Sequence, residues 1–318
     1  MNFKQFYDFC IRQGISKDPR GEGEVKRLLK EAAEKFEKLS GEEKEDFDSS
    51  ALTNPYADSK MLNGSGDERV ENILVGIDLE TPELLLANTL KTSGTKIDLA
   101  LAHHPEGRAY ATFYQVMDMQ ADIMNIFGVP INVAEACTEK RMSSVSRSVH
   151  GANHTRAVDA ARLLNIPFMS AHTVADNQVT AYLQELFDKE KPRYVGDILK
   201  SLKAIPEYKQ AAQIGAGPTI TNGGKESRAG KVFVDMTGGT EGAKELLEKL
   251  ADSGVGTIVG MHMSEDHYKE AQKFHLNVVI AGHISSDNLG VNLLLDAAEK
   301  EFGKFNVIGC SGFNRIKH

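Results

Sequence analysis

The stretch from Glu71 to Pro105, "ENILVGIDLETPELLLANTLKTSGTKIDLALAHHP", decides the fold. "ENILVGID" is an apolar run suited to a buried strand. "TPELLLANTLKTSG" then sets Thr81 as N-cap, Pro82 at the first helical position and Gly94 as the stop, which together predict a helix. "KIDLALAHH" reads as a second strand. Strand, helix and strand in one span make a βαβ unit, and such units build parallel sheets.

Downstream, "ATFYQVMDMQADIMNIFG" predicts a helix, "VPINVAE" a strand, "TRAVDAARLLN" a helix and "IPFMSAH" a strand. The second half repeats the first. "GKVFVDMTGGTEGAKELLEKLADSGVGTIVGMHM", from Gly230 to Met263, is again strand, helix, strand. Ile73 to His103 is thirty positions, and so is Val232 to His262. "LNVVIAGHISSDN" echoes "LNIPFMSAHTVADN": each has Leu-Asn, an apolar strand, a His, three residues, then Asp-Asn. Internal similarity of this kind predicts a duplicated α/β fold, two copies of one unit with mainly parallel or mixed sheets. Residues 192–230 between the copies read as a short helix and a Gly-rich linker. Residues 1 to about 50 have helical spacing, as in "EVKRLLKEAAEKFEKL", and 49–68 hold the Pro, Asn and Gly of a long loop. The expected division is an N-terminal helical segment and loop over 1–65, a first repeat over 66–187 and a second over 188–318.

The composition, 41% hydrophobic and 26% charged over 318 residues, suits a large globular core. A net charge of -8 makes nucleic acid an unsuitable partner, because phosphate binding needs clustered Lys and Arg. Cys10, Cys137 and Cys310 are isolated, which argues against a disulfide framework and fits a reducing compartment. "MNFKQFYDFCIRQG" has no apolar core of signal-peptide type, and no run is apolar enough to span a bilayer. The expected location is the cytoplasm.

His103 and His104 close a strand, and Pro105 forbids a further ladder donor. Ligands of open α/β sheets bind at the carboxyl ends of strands. Consecutive strand residues diverge, so two imidazoles at such an end could serve two different metal ions. "AHTVAD" and "GHISSD" each place a His and an Asp four apart, at two further strand ends. Asp176 and Asp287 there could instead serve the positive ends of the helices that follow. Three strand ends with His, two sharing one carboxylate offset, favour a metal site. Imidazole and carboxylate without thiolate suit Zn, Fe, Mn, Co or Ni. Five ligands exceed what one tetrahedral ion needs, which suggests a two-metal centre.

The ordered set "AHHP", "AHTVAD" and "AGHISSD" resembles the Nif-three-like family, whose members are often labelled GTP cyclohydrolase I type 2 homologues. The resemblance covers about residues 60 to 318, and "MLNGSGDERVENILVGIDL" matches the family's entry into its first strand. It implies two intertwined α/β repeats, a dinuclear centre of two divalent transition-metal ions, and a homo-oligomer, often a hexameric ring. Carried over position by position, His103, His104, Asp176, His283 and Asp287 stand as metal ligands. His172 matches a neighbouring histidine, beside the ligands or on the open side, and is the candidate catalytic proton carrier. Asp287 stands where the family has Glu, and Val174 where it has Asn. Glu106-Gly107 replaces an apolar pair.

Among the other histidines, His150 and His154 could contribute substrate contacts, but the favoured expectation is that both face water beside a helix capped by Asn153 or Thr155. His262, at the repeat position equivalent to His103, either faces the same cavity or is an ordinary strand-end residue. "MTGGTEG" lacks both glycine-rich phosphate patterns and reads as a tight turn. The leading expectation is a metal-dependent hydrolase of a small molecule with a cyclic amide, nucleotide or ester group. The alternative is a non-catalytic metal-dependent scaffold or trafficking protein, distinguished by a closed rather than open metal position.

Overall fold

The computed structural model describes residues 1–318. In chain order its helices and strands are α1 (Phe3–Ser16), α2 (Glu22–Glu37), α3 (Gly41–Asp46), β1 (Met61–Asn63), β2 (Asn72–Gly76), α4 (Thr81–Thr92), β3 (Leu99–Ala102), α5 (Gly107–Thr112), α6 (Asp118–Ile126), α7 (Ile131–Val149), α8 (Arg156–Leu163) and β4 (Phe168–Ser170). There follow α9 (Thr173–Glu190), α10 (Val195–Ala204), α11 (Pro206–Gln213), β5 (Thr219–Asn222), β6 (Lys231–Asp235), α12 (Leu246–Asp252), β7 (Val255–Gly260), α13 (Glu265–Lys273), β8 (Asn277–Ile280), α14 (His283–Phe302) and β9 (Asn306–Cys310).

The duplicated α/β architecture is present. One sheet runs β1-β4-β3-β2-β9 and the other β5-β8-β7-β6. In each the first strand is antiparallel to its neighbour and the rest are parallel. The repeats are intertwined through their long helices. α14 leaves the second sheet, yet Val291, Leu294 and Leu295 pack in one core with Ile73, Val75 and Leu101 of the first. α9 leaves the first sheet, yet Val179, Leu183 and Phe187 pack against Val232, Val234 and Val279 of the second. The two helices cross where Gly290 meets the Ala175 carbonyl; a Cβ on Gly290 would stand 2.4 Å from that oxygen. That close approach brings the neighbouring Asp176 and Asp287 face to face.

The N-terminal segment is part of the core. Phe3, Phe6 and Phe9 of α1 are buried with the first sheet and α14. No helix is long and apolar enough to cross a membrane.

Four local expectations change. "VPINVAE" is not a strand: Pro130 caps α7, which runs 19 residues from Ile131. Its few apolar residues mimic a strand only when read apart from the polar turns that follow, and Ile131 is 38% exposed. The cap of α4 is Glu80, one residue before Thr81, in a reciprocal capping box with Glu83. Residues 192–230 are no bare linker, since they form α10, α11 and β5, with Ile198, Leu202 and Tyr208 buried in the core of the second sheet. The loop over 49–68 contains the short strand β1.

β9 covers the edge of β2, but the equivalent edge of β6 has no strand. Gln184 of α9 occupies it instead. Its Nε2 donates to Val232 O at 3.3 Å, and its Oε1 accepts from Val234 N at 3.1 Å. One side-chain amide thus reproduces the bonding of one residue of a parallel strand.

Candidate metal centre

The carboxyl ends of β3, β4 and β8 deliver His103-His104, His172 and His283 to one place. Asp176 and Asp287 arrive one turn into α9 and α14. All six residues singled out from the sequence are brought together. Donor atoms of three overlapping sets (His103, His104 and His172; His104, His283 and Asp287; His103, Asp176 and Asp287) lie within 4.8 Å of one another.

The spacing is not that of hydrogen bonds. His103 Nε2 stands 3.4 Å from Asp287 Oδ1 and 3.5 Å from Asp176 Oδ1. His104 Nε2 and His283 Nε2 each stand 3.6 Å from Asp287 Oδ2. His172 Nε2 is 3.7 Å from Asp176 Oδ2. Donors held about 2.0–2.1 Å from a tetrahedral ion stand about 3.4 Å from one another. His103 Nε2, Asp176 Oδ1 and both oxygens of Asp287 are buried without a hydrogen-bond partner. Buried polar atoms are ordinarily satisfied, so four orphans converging on one point fit a cation there. Asp287 is the shared member, with one oxygen toward His103 and the other toward His104 and His283.

Each of three rings is aimed from behind. His103 Nδ1 donates to Ala171 O at 3.2 Å, and His104 Nδ1 to Asp78 Oδ1 at 2.7 Å. His172 Nδ1 donates to Asp58 Oδ2 at 2.8 Å. A proton on Nδ1 leaves the Nε2 lone pair facing the cluster, the arrangement usual behind metal-bound histidines. Asp58 is wholly buried and also accepts from Thr173 Oγ1 at 2.6 Å. Burial alone would raise its carboxyl, but the His172 ring outweighs that and holds it below the ordinary range. Burial pushes Asp176 up to about 6 against the pull of His172 and His103. Burial, with His103 and His172 nearby, depresses His104 to about 4, which keeps its ring neutral.

Sequence reasoning missed Asp58 and Asp78. Asp78 carried a usable signal, a carboxylate two residues past the end of β2. Asp58 carried none, lying in an irregular loop distant from every motif. His172 was expected beside the ligands or on the open side; its Nε2 in fact faces the same cluster as His103 and His104.

The cluster floors a cavity of about 640 Å³ open to solvent, and His104, His172 and His283 line it. His262 lines it too, its ring 5.0 Å from that of His283, so it faces the shared space. His150 is exposed, as expected. His154 departs from expectation: it is half-buried, with Nε2 donating to Val149 O at 3.0 Å. The "MTGGTEG" turn leads to no immediate helix, because α12 begins only at Leu246. It is held by Gln120, whose Nε2 donates to Gly238 O and Thr240 O.

No family model matches the sequence, and no curated protein matches it. Solved structures do. A NIF3 superfamily protein from Sphaerobacter thermophilus aligns at 28% identity with a TM-score of 0.70, covering 81% of this chain and 92% of its own. Reduced HcgD from Methanocaldococcus jannaschii is 13% identical, with a TM-score of 0.45 over 79% of this chain and 87% of its own. A Bacillus cereus protein related to NIF3 is 12% identical, with a TM-score of 0.41 over 79% and 90%. The last two are too distant to carry argument. The Sphaerobacter protein agrees in fold over most of both chains, and its superfamily is the one that the His-His-Pro and His-Asp motifs resemble.

Proposed function

We propose that the chain is a metal-dependent hydrolase of small molecules, with His103, His104, Asp176, His283 and Asp287 holding two divalent transition-metal ions. The observation that carries this reading is the convergence of four partnerless buried polar atoms at the floor of an open cavity. An open position is what distinguishes a catalytic from a structural metal site, which favours hydrolysis over a closed scaffold role.

Ions bound there would supply Lewis-acid polarisation of the bond under attack and a more acidic water. The chain's own residues do the rest. His103, buried and fixed by Ala171 O, and Asp287, wholly buried, set the floor. Asp58 fixes the ring of His172, so that a proton can be exchanged only at Nε2, the atom facing the cavity. Asp78 does the same for His104.

Protein purified without chelator is expected to hold up to two transition-metal ions per chain by mass spectrometry. The loaded protein should then hydrolyse members of a panel of esters and cyclic amides. No ion after incubation with Mn or Zn would refute the centre. Ions without hydrolysis of any panel member would count against catalysis.

Asp58→Asn is expected to lower hydrolysis of the panel substrates by roughly 100-fold with ion content unchanged, because it frees the His172 ring whose Nε2 exchanges the proton. Circular dichroism should report an intact fold. Hydrolysis equal to that of the parent chain would show that Asp58 is only a loop-packing residue.

A further inference from the structure

A second cavity, of about 660 Å³, runs along the free edge of β6, and every residue from Gly230 to Thr237 lines it. α9 forms one wall through Thr180, Ala181 and Gln184, and α6 the other through Ile123, Ile126 and Phe127. Asp235, Met236 and Thr237 also line the cavity over the histidine–aspartate cluster. The groove therefore leads to that cavity at the carboxyl end of β6.

Three observations say what the groove fits. The first is the backbone. Gln184 meets Val232 O and Val234 N, as one residue of a parallel strand would. The next residue of such a strand to face β6 would meet Val234 O and Met236 N. Met236 is buried, yet its N–H donates to no group of the chain. Buried N–H groups are ordinarily paired. The second is Thr180 on the groove wall, buried with its hydroxyl partnerless. The third is the other repeat. His172 and His283 are equivalent, and twelve residues beyond them stand Gln184 and Leu295. Where α14 has the apolar Leu295, strand β9 covers the edge, parallel to β2. Where α9 has the amide, the strand is missing and the groove remains, with Ile126 54% exposed on its wall. A second copy of β6 meeting this one about a twofold axis would arrive antiparallel, which does not match the parallel spacing that Gln184 reproduces.

We propose that this groove binds an extended peptide segment as an added strand parallel to β6, with its carboxyl end entering the cavity over the cluster. Main-chain hydrogen bonds give affinity in this mode, and pockets for alternate side chains give specificity. Ile123, Ile126 and Phe127 favour apolar ones. The inference stands whether or not that cavity hydrolyses anything.

The test is fluorescence anisotropy of a fluorescein-labelled peptide, Val-Thr-Val-Thr-Val, titrated with the full chain, and saturable binding is expected. Two N-methylated versions, one at the valines and one at the threonines, keep the side chains and remove alternate N–H donors. Only one set of donors faces β6, so one version should lose about tenfold or more in affinity while the other binds as the parent peptide does. Gln184→Ala opens Val232 O and Val234 N to the guest and should raise affinity about tenfold. Ala181→Trp, which fills the groove, should lower it by as much. If circular dichroism shows Ala181→Trp unfolded, Gln184→Ala decides. Benzoylphenylalanine at the carboxyl end of the peptide should photocrosslink around Met236 and Thr237, and at the amino end around Gly230 and Lys191. No binding, equal binding of both methylated peptides, or unchanged affinity in Gln184→Ala overturns the proposal, and reversed crosslinks overturn the parallel placement. Light scattering tests the other occupant. Self-association that Ala181→Trp abolishes, with no peptide bound by the parent chain, assigns the groove to a second copy and also overturns the proposal.

Discussion

Asp287→Asn is expected to lose its bound ions, with affinity falling by at least about a hundredfold, beyond the loss usual for a supporting residue. Asp287 is wholly buried, and both of its oxygens lack a hydrogen-bond partner. They face three imidazoles, from His103, His104 and His283. A neutral amide offers one oxygen donor and no charge, so both halves of the cluster suffer at once. The rival role, a cap on the following helix, does not fit the position. Gly282 is the N-cap of α14, and Asp287 is the fifth residue inside the helix, accepting from no backbone N–H. Asp287→Glu keeps the charge and should retain ions in part. Metal analysis and thermal denaturation of both variants check this. Full ion occupancy in Asp287→Asn would remove Asp287 from the ligand set.

Loading the chelator-treated chain with ions should produce the largest change in stability. An ion present at about a thousand times its dissociation constant stabilises the folded state by about 4 kcal/mol. For a chain of this size that corresponds to a rise in Tm of about 6 °C. The direction follows from the floor of the cavity, where buried carboxylate and imidazole atoms have no other partner. Differential scanning calorimetry before and after loading measures it. An unchanged Tm, with ions shown to be bound, would mean that these atoms are satisfied in the ion-free chain by another route.

Much of the architecture was legible because the pattern is redundant. Two copies of strand, helix and strand each carry their own turn signals, and a misjudged element in one copy is corrected by the other. The site was legible where its residues sit at strand ends, since a histidine that closes an apolar run is conspicuous. Asp58 was invisible because its role depends on where a loop passes after folding, and local pattern does not encode that. The misreading of "VPINVAE" has a related cause. Seven residues hold two turns of a helix or one short strand, and only the polar continuation to Val149 decides between them. Residues 192–230 looked like a linker because glycines dominate their second half. Their apolar residues are spaced for helices, and these fill the core beneath the second sheet.

The amide of Gln184 at the edge of β6 gives the two sheets different social behaviour. An open strand edge is a template on which another chain can add itself. The first sheet ends in a whole strand, β9, which follows the second sheet in the chain, so the cover of β2 depends on residues made after that sheet. The second sheet closes with a side chain on a helix that forms earlier and is already adjacent. During synthesis, therefore, the half made last has its own guard in place as soon as it folds, while the half made first must wait with β2 uncovered until β9 arrives. The vulnerable interval for sticking to a neighbouring chain belongs to the first sheet.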